Sequence, residues 1–119
     1  MIYTAILGSN DSLQEPLVKG DYHVFSDRQY PEIEGWTQWR ATDLFLDNRR
    51  NARMHKILMP AKDCLWIDGN ILPKVSYDEL LEYLGDNDIC VNEHEYRKCI
   101  YQEAHAVLHY GLDTEKTVI

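Results

Sequence analysis

Cys64-Leu65-Trp66-Ile67-Asp68-Gly69-Asn70 is the stretch on which the reading of the fold turns. Its first four residues form the most hydrophobic short run in the chain, and Asp68-Gly69-Asn70 ends that run abruptly. The segment therefore predicts a central strand with a polar tip. Upstream, the span from about Asp47 to Leu58 contains no Gly or Pro, its one β-branched residue is Ile57, and Pro60 closes it, which predicts a helix. Downstream, Ser76-Tyr77-Asp78-Glu79 has the pattern of a capping box, so a second helix should follow, with Leu80, Leu81 and Leu84 as its apolar face and Gly85 as its stop. Toward the N-terminus, Ile2 to Leu7 reads as a buried strand halted by the turn formers Gly8-Ser9-Asn10-Asp11-Ser12. A connector from Pro16 to Gly20 leads to a second strand, Tyr22 to Asp27. Trp36-Thr37-Gln38-Trp39-Arg40 alternates as an edge strand would, with Trp36, Gln38 and Arg40 on one face and Thr37 and Trp39 on the other. Toward the C-terminus, Asp88-Ile89-Cys90-Val91 predicts a further short strand, and Asn92-Glu93-His94-Glu95 opens a helix running to about Tyr110, capped by Gly111. Strands alternating with helices argue for an α/β domain with a largely parallel sheet.

The 119 residues suit a single domain, and a composition 45% hydrophobic and 27% charged is that of a chain that folds. Twelve Lys and Arg against twenty Asp and Glu leave a net charge of -8, which makes nucleic acid and anionic membranes poor partners unless the basic residues are concentrated locally. No run approaches the roughly 20 apolar residues that span a bilayer, and the N-terminus lacks the basic lead of a secretory signal. Cys64, Cys90 and Cys99 are odd in number, lack close-pair spacing and sit in apolar runs, as small buried hydrophobes do. These features point to a soluble protein of a reducing, cytoplasmic compartment.

Three groups of residues could carry chemistry. Asp68 and Asn70 stand where a buried strand emerges, at the carboxyl edge where open α/β sheets bind ligands, and both could offer oxygen to a hard divalent cation; the same tripeptide also makes a good turn. On the helix before it, Arg49, Arg53 and Lys56 fall within about 60° of one another at 100° per residue, while Met54, Ile57 and Leu58 occupy the other side. The basic face suits a phosphate-bearing ligand, or simply a solvated surface. The third group is His94 and Arg97 at the start of the last helix, with Glu103 beyond them, placed to meet an anion. Cys99, His105 and His109 have helical spacing for zinc, but neither a CxxC nor an HExxH pattern accompanies them. The chain has no GxGxxG fingerprint, Walker loop or GxSxG elbow.

Taken in order, Tyr3-Thr4-Ala5-Ile6-Leu7-Gly8 with Asp11, Phe25-Ser26-Asp27, Trp36, Arg49 with Arg53 and Lys56-Ile57-Leu58, Trp66-Ile67-Asp68-Gly69-Asn70, and His94-x-x-Arg97-x-Cys99-Ile100-Tyr101-x-Glu103 form a recognisable series. The series resembles the glycosyltransferase-like domain family formerly catalogued as a domain of unknown function, with bacterial and plant Golgi members, over about residues 2 to 110. The resemblance implies a minimal GT-A-type, Rossmann-like three-layer sandwich occupying residues 1 to 119 as one nucleotide-sugar-binding domain. It implies transfer of a sugar from a nucleotide-sugar donor to an acceptor it does not name. Thr4, Gly8, Ser26 and Asp27 would hold the donor together with Arg49, Arg53 and Lys56. Asp68 and Asn70 would take the place of the Asp-x-Asp metal motif for Mn2+ or Mg2+, and Asp68, His94, Arg97 and Glu103 would serve catalysis. GT-A enzymes are generally much longer, and Asn70 is a neutral ligand where that motif has a carboxylate. A catalytically inactive domain that binds a nucleotide, a nucleotide-sugar or a partner protein is the alternative. The β-prone tail Thr117-Val118-Ile119 suggests pairing with a second copy to form a homodimer.

Overall fold

A computed structural model of the chain describes residues 1–8, 11–43, 47–58, 60–90 and 95–112. It divides into two compact units, residues 1–85 and 86–119, taken here in turn. The first unit is built on four parallel strands, β1 (Ile2–Ile6), β2 (Tyr22–Ser26), β3 (Trp36–Arg40) and β4 (Leu65–Trp66), in the order β3-β2-β1-β4. It is an α/β unit, and its all-parallel sheet is compatible with a Rossmann-like arrangement. The strand at Leu65–Trp66 lies at the edge beside β1, not at the centre, and is two residues long. β1 takes the central place. All five of its residues are buried, because an inner parallel strand is covered on both faces.

Register decides which residues share a face. Ile2, Thr4 and Ile6 stand beside Tyr22, Val24 and Ser26 on β2, and these beside Trp36, Gln38 and Arg40 on β3. Against this face pack Leu13, Tyr30 and Ile33, which belong to the connections between strands, together with Tyr77. Parallel neighbours need crossovers that are usually helical. Here two side chains fasten irregular crossovers to the sheet instead. The Trp36 indole N–H donates to the Gln14 carbonyl at 2.8 Å, and the Gln38 amide both accepts from the Tyr30 N–H and donates to the Tyr30 carbonyl, each at 2.8 Å. Thr4 Oγ1 and the Tyr30 hydroxyl are buried on this side without a hydrogen-bond partner among the described residues.

The opposite face carries Tyr3, Ala5, Phe25 and Trp66, and α1 (Asn48–Leu58) covers it. The Tyr3 hydroxyl donates to the Lys56 carbonyl at 2.8 Å, and the Phe25 and His55 rings lie 5.4 Å apart. The apolar side of α1 is not the covered one: Ile57 and Leu58 are exposed and the buried residues are Asn51 and His55. The reason is a closed set of polar contacts. Asn51 donates to Asp43 Oδ1 at 2.8 Å, the His55 imidazole bridges the Asn51 carbonyl (2.7 Å) and the Thr42 N–H (3.2 Å), and burial is tolerable once such groups are paired.

α2 (Tyr77–Leu81) follows Ser76, whose Oγ accepts from the Glu79 N–H as a capping box requires. It ends before Leu84, and Gly85 then adopts φ 55°. In the second unit, Asp88–Cys90 form no strand, and Val91 lies outside the described residues. The last helix, α3 (Ile100–His109), starts well after the expected Asn92. Cys99 is extended at φ -147° and ψ 158°, and Gln102 Oε1 accepts the Lys98 N–H at 2.8 Å, so the start signal is read at Cys99. Cys90 and Cys99 are exposed, not buried as their neighbours suggested, since neither sits in a strand or a packed helix face. Among the described residues no helix is long and apolar enough to cross a membrane. The tail at Thr117–Ile119, on which the homodimer expectation rests, lies outside the described residues.

Candidate functional site

In a parallel sheet every strand delivers its carboxyl end to the same edge. At that edge Ile6 and Leu7 after β1, Asp68, Gly69 and Asn70 after β4, and the first turns of α1 enclose a cleft of about 280 Å³. Asp11, Asn48, Arg49, Arg53 and Trp66 complete its wall. The two arginines stand one helical turn apart, so their guanidinium groups project from one side of α1. Both are exposed, and neither makes a hydrogen bond or ion pair among the described residues. Two adjacent guanidiniums, of which Arg49 also feels the Asp47 carboxylate, form a local cationic surface in a chain of charge -8.

The start of α1 is fixed by Asp47, whose Oδ1 accepts the Arg50 N–H at 2.8 Å while Oδ2 pairs with the Arg50 side chain at 3.2 Å. That backbone hydrogen bond, aided by the Arg50 charge, holds the Asp47 carboxyl below its ordinary range. After β4, the Ile71 N–H donates to the Asp68 carbonyl at 2.9 Å, so Asp68-Gly69-Asn70 is indeed a turn. It is also part of the cleft. A Cβ on Gly69 would stand 2.9 Å from Ile6 Cγ1 and 3.0 Å from Asp11 Oδ2, so only glycine lets this turn press against β1 and Asp11. Asp68 Oδ1 accepts the Trp66 indole N–H at 3.0 Å. Asp11 and Asn70 line the same cleft, so oxygen-bearing side chains share it with the arginines.

The other residues singled out in the sequence fall into different positions. Gly8 adopts φ 73°, and its N–H donates to Asp27 Oδ2 at 3.0 Å while its carbonyl accepts from Arg28 Nη2 at 2.6 Å. Asp27 is thus spent on the loop after β1. Thr4 and Ser26 are buried, and Ser26 Oγ accepts the Arg28 N–H at 3.3 Å. Lys56 does not line the cleft; its Nζ sits 5.9 Å above the Trp66 ring. Arg97 pairs with Glu103 in the second unit, and His94 lies outside the described residues. Asn48 and Trp66 carried no separate signal as site residues. Trp66 read as part of a strand, and Asn48 fell within the helix expected from about Asp47.

A second concavity, lined by Val75, Glu79, Glu82 and Tyr83, has no basic group. Among the described residues no three or more His, Cys, Asp or Glu side chains converge as a metal cage would require. The two carboxylates that line the cleft, Asp11 and Asp68, could hold a Mg2+ only together with oxygens from another source, since one or two protein carboxylates suffice when phosphate oxygens and water complete the shell. No protein-family model matches the chain, and the curated proteins and the solved structures return no match either.

Proposed function

We propose that the chain binds the diphosphate of a nucleotide-sugar in this cleft and transfers the sugar, as a minimal GT-A-type glycosyltransferase. The observation that carries the reading is the meeting of Arg49 and Arg53 with the Asp68–Asn70 turn in one cleft at the carboxyl edge of the sheet. Its volume lies at the low end for ligand sites, suited to the phosphate portion of a donor whose remainder extends outward. In the transfer, the bond from the anomeric carbon to the β-phosphate oxygen breaks with its electron pair on the diphosphate. The acceptor oxygen forms the new bond and gives its proton to a base. Arg49 and Arg53 donate hydrogen bonds to the phosphate oxygens, on which negative charge grows as the bond breaks. A bound Mn2+ or Mg2+ would add Lewis-acid neutralisation of the same charge, and Asp68 and Asn70 are the residues to hold it.

Binding should raise the melting temperature, because a ligand confined to the native state stabilises it by mass action. A thermal-shift series with UDP, GDP, CMP and their sugar conjugates, with and without Mn2+, is expected to give a metal-assisted shift with one base. Arg53→Ala and Asp68→Ala should each weaken that ligand roughly 10- to 100-fold, the cost of losing hydrogen bonds to a charged partner, while the fold persists. No shift with any nucleotide, or unchanged affinity in both variants, overturns the reading. Binding without sugar transfer or donor hydrolysis would select the inactive, donor-binding form.

A further inference from the structure

Trp66 is the one aromatic side chain among the residues that line the cleft. Its indole N–H donates to Asp68 Oδ1 at 3.0 Å, its ring takes the Tyr3 ring edge-on at a centroid distance of 5.2 Å, and Lys56 Nζ stands 5.9 Å over it. The Tyr3 hydroxyl in turn is bound to the Lys56 carbonyl of α1. The ring is half-buried, and turning its N–H away from Asp68 would disturb its edge-on contact with Tyr3. Asp68 is otherwise an exposed side chain on a turn, with no second partner among the described residues. A carboxylate in that position has several rotamers to choose from, and a fixed donor on one oxygen selects among them.

We propose that Trp66 is a positioning residue for Asp68: its indole N–H holds Oδ1 and leaves Oδ2 as the atom presented to a cation or ligand in the cleft. This rests on the reading of the cleft as a diphosphate site. Donors that orient a metal-binding carboxylate from behind contribute strongly to affinity, and their loss costs about 10- to 100-fold in metal binding. The ring is not required for that task, only its N–H.

Trp66→Phe separates the two, because it keeps an aromatic ring against Tyr3 and removes the donor. Calorimetric titration of inorganic pyrophosphate without a metal measures the arginine side alone, and the same titration with Mn2+ adds whatever Asp68 contributes. The expected result is a loss of affinity about tenfold greater with Mn2+ than without it. Equal losses in both conditions would mean that the ring merely supports the wall, and no loss in either would mean that the N–H is idle; both overturn the proposal. The indole N–H resonance of Trp66 reports the contact itself, independent of any ligand. It should move in Asp68→Ala and stay in place in Arg53→Ala, and an unmoved resonance in Asp68→Ala overturns the proposal even where Trp66→Phe is too unstable to titrate. A wild-type chain that binds no pyrophosphate in either condition overturns the diphosphate reading and this proposal with it, while the resonance still shows whether Trp66 holds Asp68.

Discussion

Tyr3 joins the sheet to the helix that carries the arginines, and burial is the main reason its hydroxyl is pushed up to about 12, with Cys64 a lesser cause. A tyrosine whose folded value exceeds the unfolded value near 10 favours the native state while it stays protonated. The contribution is complete below about pH 10 and is lost as pH rises through about 12, for a total of about 2 to 3 kcal/mol. Urea unfolding at pH 9 and at pH 12 should therefore show a loss of that order in the wild type that Tyr3→Phe lacks; equal alkaline losses in both proteins would contradict it. At this scale the site was partly legible. Arg49, Arg53 and Asp68 declared themselves because a charge stripe and an acidic strand tip are local patterns. Thr4 and Ser26 are buried and Lys56 lies outside the cleft lining, which the sequence could not show because burial and packing are set by neighbours distant in sequence.

Among the elements, β1, β2, β3 and the Ser76 cap were readable because alternation and capping are short-range signals. The orientation of α1 was not. Its sequence separates a basic from an apolar side without marking which is covered, and the polar closure around Asn51 and His55 that faces the sheet includes Asp43 and Thr42, which precede the helix. The loop after β1 shows how tightly this helix is placed. Gly8 has a positive φ, and a Cβ there would lie 2.7 Å from Asn48 Nδ2 at the first position of α1. Gly8→Ala should cost about 1 to 2 kcal/mol from the backbone conformation, plus the displacement of Asn48. Adding Asn48→Ala should restore the packing part and leave the conformational part, a difference that urea unfolding of the single and double variants resolves. Full recovery in the double variant would show that the backbone at Gly8 is unstrained by a side chain.

For the whole molecule, charge sets a contest between ranges. The net charge of -8 repels an anionic ligand at a distance, whereas Arg49 and Arg53 attract it at contact. The screening length falls from about 30 Å at 0.01 M salt to about 8 Å at 0.15 M, so added salt removes the distant repulsion before the contact attraction. The association rate of pyrophosphate, followed by stopped-flow fluorescence, should rise or hold steady over that interval, against the usual fall for an anion approaching a basic site. A steep fall would mean that the arginines govern the approach from afar.

The all-parallel sheet has one more consequence, for how such a protein changes over generations. Because every strand ends at the same edge, the connections that meet there can vary in length and side chain while β1 and β2, buried beneath, hold the scaffold constant. Substitutions at that edge of the first unit can thus accumulate without renegotiating its interior, and the irregular crossovers pinned by Trp36 and Gln38 are short, separately anchored stretches of chain that tolerate them.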